Sequence, residues 1–193
     1  YTVLGLEREL RSVMGDIRDP DPLERLFDAF RPEVVFHLAA QPIVREGYRD
    51  PTGTFDVNLM GTVRLLDCVR RHPGVRSVLV VTTDKVYRNG GTGRPFREED
   101  PLGGADPYAG SKSCAELAVR SYAESFFASG PAVSAARAGN VIGGGDFAPG
   151  RILPDCVRAV LSGEPVRLRH PGSVRPYQHV LEALCAYLLI AAA

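Results

Sequence analysis

Lysine is nearly absent from this chain of 193 residues: of 23 basic residues only Lys85 and Lys112 are lysines, and every other one is arginine. Arginine stays protonated in a protein, whereas lysine is a compact charge that can release a proton or lower a neighbour's pKa. The two positions read as places where an ammonium is wanted and not merely a positive charge. Net charge is missing as well. With 23 acidic residues against the 23 basic ones, no global field draws the chain to nucleic acid or to an anionic membrane. Cysteine is sparse, and Cys68, Cys114, Cys156 and Cys185 form no C-x-x-C pair. That argues against a structural zinc centre and a disulfide framework; the expectation is a reduced, cytoplasmic protein without a metal. The longest apolar stretch, around Leu184 to Ala193, is too short for a membrane span and reads as a buried helix. No G-x-x-x-x-G-K sequence is present, so a P-loop is excluded.

What is present is enough for a core, with 45% hydrophobic residues over a length suited to one domain or a little more. Asp19-Pro20-Asp21-Pro22, followed by Leu23, Leu26, Phe27 and Phe30, predicts a capped helix ending near Arg31-Pro32. Val34 to Leu38 is a short apolar run expected of a parallel strand buried on both faces. From Thr52 to His72, Phe55, Leu59, Val63, Leu66 and Val69 recur at helical spacing. Ser77 to Thr82 repeats the strand pattern, residues 86–106 read as a loop, Pro107 to Phe127 as a long helix and Val133 to Arg137 as a third strand. Beyond Asp146 the pattern loosens into a helix near 153–161, a short strand over 166–169 and a helix from Val180. This alternation predicts an α/β fold, a doubly wound parallel sheet whose ligands sit beyond the carboxyl ends of the strands.

Those ends carry the chemistry. Tyr108 and Lys112 stand at i and i+4, on one face at the start of a helix. A nearby ammonium favours phenolate, lowering a pKa of about 10 so that Tyr108 can act as a general base. Thr82-Thr83-Asp84-Lys85 puts hydroxyls, an acid and an amine at a strand end facing the same place, so both lysines converge on one cleft. Asp16 is read at the end of an earlier strand, where a carboxylate can accept from an adenine amino group, although an ordinary turn aspartate is the plainer reading. Arg151, Arg175 and His179 fall in a C-terminal lobe, where arginines suit phosphate. Gly143-Gly144-Gly145-Asp146 mimics a dinucleotide-binding glycine loop, but Pro149 and Gly150 follow, so no helix starts there and it reads as a loop bordering substrate.

Five ordered segments, Phe36 to Gln41, Asn58 to Thr62, Thr83 to Tyr87, Tyr108 to Lys112 and Arg137 to Asp146, resemble the extended short-chain dehydrogenase/reductase family. The CDP-glucose branch of its nucleotide-sugar 4,6-dehydratases is the nearest in pattern. Related dTDP- and GDP-sugar dehydratases usually carry Asp-Glu where this chain has Asp84-Lys85, and 4-epimerases usually carry small or hydroxyl residues there. Val174 to Val180 also resembles that branch, with Tyr177 where Trp is usual; Val57 stands where a Thr often precedes the Asn58 motif.

The resemblance implies a Rossmann-like fold, with a partial NAD-binding domain over 1–145 and part of a substrate lobe over 146–193. It implies bound NAD as a temporary hydride store, with Tyr108, Lys112 and Thr83 acting at the sugar 4-hydroxyl, Lys85 as the C5 base and Asp84 as the acid at the 6-hydroxyl. A neutral Lys85 amine is then required, and burial beside Lys112 would favour it. Asp16 and Ile17 would hold adenine, Leu38, Ala39 and Ala40 would line the cofactor cleft, and Asn140, Arg151, Arg175 and His179 would contact a nucleotide sugar, CDP-glucose. Family members commonly pair through two long helices, here 52–72 and 107–127, so a homodimer is expected, with no nucleic-acid or membrane partner. The first strand and glycine-rich turn of the family are expected to precede Tyr1, leaving unpaired strand edges here. Two alternatives stay open: a 4-epimerase or a dehydratase of another nucleotide sugar, and a noncatalytic binding module.

Overall fold

The computed structural model describes residues 5–91 and 93–193. They form two compact units, Tyr1–Arg137 and Ala138–Ala193. The sequence reading divided the chain at 145/146. The boundary falls earlier because Asn140–Ile142 is a strand paired in parallel with Tyr177–His179, which ties residues 140–142 to the C-terminal unit.

In the first unit, α1 (Pro20–Phe30) begins where the Asp19 side chain accepts from the Asp21 N–H at 3.1 Å, with Pro20 pre-set at the first position. It ends at Arg31, which is left-handed with φ 46° and donates back to the Phe27 carbonyl. Strand β1 (Val34–His37) leads to α2 (Val44–Arg49), α3 (Pro51–Phe55), one π turn over Asp56–Met60, and α4 (Gly61–Arg71). Then come β2 (Ser77–Val81), a 3-10 turn at Asp84–Val86, α5 (Pro107–Phe126) and β3 (Ala132–Ala136). Asp106 caps α5 by accepting from Ala109 N–H at 2.9 Å. The three strands lie in the order β1-β2-β3, all parallel. Their carboxyl ends therefore fall side by side at His37, Val81 and Ala136. Central β2 buries Val78, Leu79 and Val80, and the core is closed by Phe27 of α1, Leu65, Leu66 and Val69 of α4, and Val119 of α5.

The second unit holds β4 (Asn140–Ile142), α6 (Ile152–Leu161), β5 (Tyr177–His179) and α7 (Val180–Ala192). Among the described residues no helix is long and apolar enough to cross a membrane.

Four expectations are corrected. Strand β1 is not buried on both faces: Val34 and Phe36 are exposed, because β1 is an edge of the described sheet. Among the described residues no strand forms before Asp16, where Val13 and Met14 stand in solvent. Residues 166–169 are irregular, exposing Val166 and Leu168. The C-terminal helix is not buried all round; α7 covers Ala183 and Tyr187 but exposes Leu181, Leu188 and Leu189.

The long helix expected over 52–72 is present as α3, the π turn and α4; Leu66 and Val69 are buried as expected, but over the first part the inward face is displaced by one residue. Instead of Phe55, Leu59 and Val63, the buried positions are Thr54, Asn58, Thr62 and Leu66. Three steps of four exceed the about 11 residues that three α turns occupy. The wide turn absorbs the surplus.

Candidate functional site

The carboxyl end of β2 is where the chain concentrates its buried polar groups. Tyr108 and Lys112 lie one turn apart on α5, both buried. Lys112 Nζ donates to the Val81 carbonyl at 2.9 Å, pinning the start of α5 to the end of β2. Burial pushes the Lys112 ammonium down from 10.5 to about 8, and no carboxylate among the described residues offsets that loss of hydration. Beside it, Thr83 caps the 3-10 turn: its hydroxyl donates to Asp84 Oδ1 at 3.1 Å and accepts from Lys85 N–H at 3.4 Å. Lys85 Nζ lies 5.9 Å from the centre of the Tyr108 ring. Thr83, Asp84, Lys85, Tyr108 and Lys112 are thus brought together. Lys85 is half-buried; the deep burial falls on Lys112.

Glycine holds this arrangement at one point. A Cβ on Gly104 would stand 2.2 Å from the Ala109 carbonyl carbon and 2.4 Å from Gly110 N, so only glycine lets the 102–104 loop lie against the turn of α5 that carries Tyr108. Gly104 N–H also donates to Ser113 Oγ at 3.2 Å.

Two sets of residues matter that sequence reasoning left without a role. Asn58 is fully buried, and its side-chain amide donates to Ser111 Oγ at 2.9 Å and to the Gln41 carbonyl at 3.1 Å, while its Oδ1 accepts from Gln41 N–H at 2.9 Å. Ser111 Oγ donates in turn to the Tyr108 carbonyl at 2.8 Å. The segment after β1 is therefore wired to the Tyr108 turn. Asn58 and Thr62 stood at helical spacing inside one of the family-resembling segments, and the π turn places both inward. The second set is Glu116 and Arg137. Glu116 continues the four-residue spacing of Tyr108 and Lys112, a signal that the sequence did contain.

His37, at the end of β1, is buried with Nε2 3.0 Å from Thr62 Oγ1. The Thr62 hydroxyl donates to the Asn58 carbonyl at 2.7 Å, so His37 is the donor between them and carries its proton on Nε2. Burial, and then the Lys112 charge, push its pKa down from 6.5 to about 4. It stays neutral at physiological pH.

Leu38 and Ala39 are exposed and Ala40 half-buried, directly beyond β1. Ile17 packs over the start of α4, where a Cβ on Gly61 would come within 2.8 Å of Ile17 Cγ2. Asp16 is exposed and held by Arg18, whose Nε and NH2 reach its carboxylate at 3.0 and 2.6 Å. That contact lowers its pKa to about 2, keeping it anionic. Asp16, Arg18, Asp19, Pro20 and Asp56 line an open groove of about 460 Å³.

The candidate substrate residues of the second unit are not gathered at one point. Asn140 and His179 sit at opposite ends of the β4-β5 ladder, since Asn140 pairs with Tyr177 and His179 with Ile142. His179 Nδ1 accepts from Leu181 N–H at 3.3 Å and so caps α7. Arg151 is ion-paired with Asp146 at 3.2 Å, and the exposed Arg175 reaches the Val174 carbonyl. The 143–151 segment is a loop, with α6 starting only at Ile152.

One cluster has ligand chemistry: Glu24, Cys68 and His72 bring ligand atoms within 4.8 Å of one another. Arg71 clasps Glu24, His72 Nδ1 donates to the Cys68 carbonyl at 2.7 Å, and burial pushes the Cys68 thiol up to about 12. It reads as a tie between α1 and α4.

The chain is 43% identical, over 99% of its length, to CDP-glucose 4,6-dehydratase of Salmonella typhimurium, covering 55% of that protein. It is 30% identical, over 83% of its length, to dTDP-glucose 4,6-dehydratase of Xanthomonas campestris, covering 47%. The chain thus spans about half the length of these curated relatives. Among solved structures, a double mutant of the dTDP-glucose 4,6-dehydratase DesIV from Streptomyces venezuelae, with NAD and DAU bound, superposes with TM-score 0.87 at 28% identity, covering all of this chain and 57% of that one. Thermus thermophilus UDP-glucose 4-epimerase, in complex with NAD, gives TM-score 0.83 at 32% identity, over 93% of this chain and 59% of that one. A family described as the NAD dependent epimerase/dehydratase family matches residues 1–193, and to that family this chain belongs.

Proposed function

We propose that this chain carries the catalytic groups of an NAD-dependent nucleotide-sugar 4,6-dehydratase acting on CDP-glucose. The observation that carries the reading is a buried ammonium with no counter-carboxylate among the described residues. Lys112 has three N–H donors, one of which meets Val81. Hydroxyls of a cofactor ribose are suitable acceptors for the others, and Tyr108, one turn away, faces the same end of the sheet. On that ground the residues present fit NAD. Lys112 and Tyr108 would hold its ribose, Leu38, Ala39 and Ala40 would line its cleft, and Asp16 and Ile17 would border its adenine. When bound, NAD would supply a reversible hydride store, accepting from sugar C4 and donating to C6.

The chain's own residues handle protons. Tyr108, with Lys112 keeping positive charge beside it and Thr83 as hydrogen-bond partner, removes the 4-hydroxyl proton as the C4–H bond breaks. The 4-ketone acidifies the neighbouring C5–H. Lys85 takes that proton, and Asp84 protonates the 6-hydroxyl as the C6–O bond breaks and water leaves. A proton returned to C5 completes a redox-neutral loss of one water, giving CDP-4-keto-6-deoxyglucose. Asn140, Arg151, Arg175 and His179 are assigned to substrate contacts. The same reading places the protein in the cytoplasm and pairs two copies through α3–α4 and α5, on which Met60, Leu117 and Phe126 are exposed.

A 4-epimerase would share the Tyr108 step but has no use for an acid and a base at C6 and C5, so the Asp84-Lys85 pair favours dehydration. Product analysis separates the two: a 4-keto-6-deoxy sugar against a simple 4-epimer. Lys85→Met is expected to keep NAD binding and to abolish exchange of the C5 proton with solvent. Retained exchange would overturn the assignment.

A further inference from the structure

The ion pair between Glu116 and Arg137 has no part in the proposed proton transfers, yet it is among the most deeply buried charged contacts of the first unit. Glu116's side chain is 5% exposed and Arg137's 19%. Arg137 Nε meets both Glu116 oxygens at 2.9 Å, and NH2 adds a further contact. Its NH1 donates to the Glu98 carbonyl at 2.9 Å, and its guanidinium lies over the Tyr87 ring, 4.7 Å from the centre. Tyr87 stacks on Phe96 at 4.6 Å. From the other side, the Thr82 hydroxyl donates to Glu116 Oε1 at 2.6 Å.

The placement of these contacts is informative. Thr82 precedes the Thr83-Asp84-Lys85 turn and Tyr87 follows it, so the pair grips the turn at both ends. A buried ion pair is no better for stability than apolar packing of the same volume. What a forked arginine and carboxylate add is fixed direction, through planar, multiply bonded contact.

We infer that Glu116 and Arg137 are positioning residues that clamp the 82–87 turn and so set the angle at which Asp84 and Lys85 face Tyr108. This rests on the assignment of Asp84 and Lys85 to the elimination, but it can be tested without turnover because the chain has only two lysines. Limited acylation of amines followed by mass spectrometry reads Lys85 and Lys112 separately. Arg137→Met leaves Glu116 buried and unpaired and is the variant most prone to misfold. Glu116→Gln combined with Arg137→Met removes both charges together and keeps the fold testable, with urea unfolding as the check.

In the double variant Lys85 should acylate about tenfold faster than in the wild type, reporting a turn that opens locally, while Lys112 stays unchanged. Arg137→Lys keeps the charge but not the fork or the flat face, and should fall between the two. An unchanged Lys85 rate would overturn the clamp. So would a parallel rise of both lysines, which signals general loosening. A wild-type protein that dehydrates no nucleotide sugar would remove the catalytic assignment and leave the labelling result standing, so the two failures are distinguishable.

Discussion

Replacing Lys112 with Met tests the electrostatics of the site through stability alone. In the unfolded chain the ammonium keeps its proton up to pH 10.5, whereas burial lets it go at about pH 8 in the fold. Between those values the unfolded chain holds more protons, so folding stability rises with pH across that window. Below about pH 8 both states are charged, and the cost of the buried charge is constant. At about 1.4 kcal/mol per pKa unit, the rise from pH 8 to 10.5 amounts to roughly 3 kcal/mol. Lys112→Met removes that charge and its cost but leaves the Val81 carbonyl without its donor, a loss of about 1–3 kcal/mol. At neutral pH the variant should therefore match or exceed the wild type in stability, an unusual result for the loss of a buried, hydrogen-bonded side chain. Urea unfolding at about pH 7.5 and about pH 10 provides the assay, with the wild-type-minus-variant difference cancelling the other titrating groups. The wild type should gain on the variant as pH rises. If the two proteins show the same pH slope, Lys112 is not desolvated as described, and the argument from an uncompensated ammonium fails with it.

His37 gives the acid-side counterpart. Its pKa drops from 6.5 unfolded to about 4 folded, so stability is full above pH 6.5 and is lost as pH falls toward 4, by up to about 3 kcal/mol. His37→Gln should flatten that limb of the urea midpoint against pH; an unchanged acid limb would place the sensitivity elsewhere. Gly104→Ala puts a Cβ against the main chain of Ala109 and Gly110 and should destabilise by about 1–3 kcal/mol. Thermal unfolding checks it, and a wild-type midpoint would mean that the loop is not held against α5.

The groups proposed as catalytic were readable because their chemistry is local. Tyr108 and Lys112 are four residues apart, Thr83 to Lys85 are adjacent, and a parallel sheet needs only strand ends to bring them together. Contacts that depend on the rotation of an element were not readable. Burial was expected at Phe55, Leu59 and Val63, and Asn58 and Thr62 took that place, because an α-helical period was assumed through a segment that contains a π turn. Glu116 was overlooked because its partner, Arg137, lies 21 residues away in a chain where arginine is everywhere. Burial of β1 was overestimated because apolar sequence reports what a strand can be covered by, not what covers it. In the C-terminal unit the local partners were not readable: the ion pair of Arg151 with Asp146 and the capping of α7 by His179 depend on loop geometry that residue type alone does not report.

The π turn at Asp56–Met60 works like a vernier set into a shaft. Upstream and downstream of it the helix keeps an ordinary pitch, yet the two lengths are rotated so that Thr54 and Asn58, which serve the cleft, share one line with Leu66 and Val69, which anchor the core. The polar line that holds Gln41 and Ser111 and the hydrophobic anchor are thus coupled by a single surplus residue. Losing one residue from this turn would cost almost no helix and leave every side chain chemically intact, yet it would rotate the polar line away from Gln41 and Ser111 while the core held its grip.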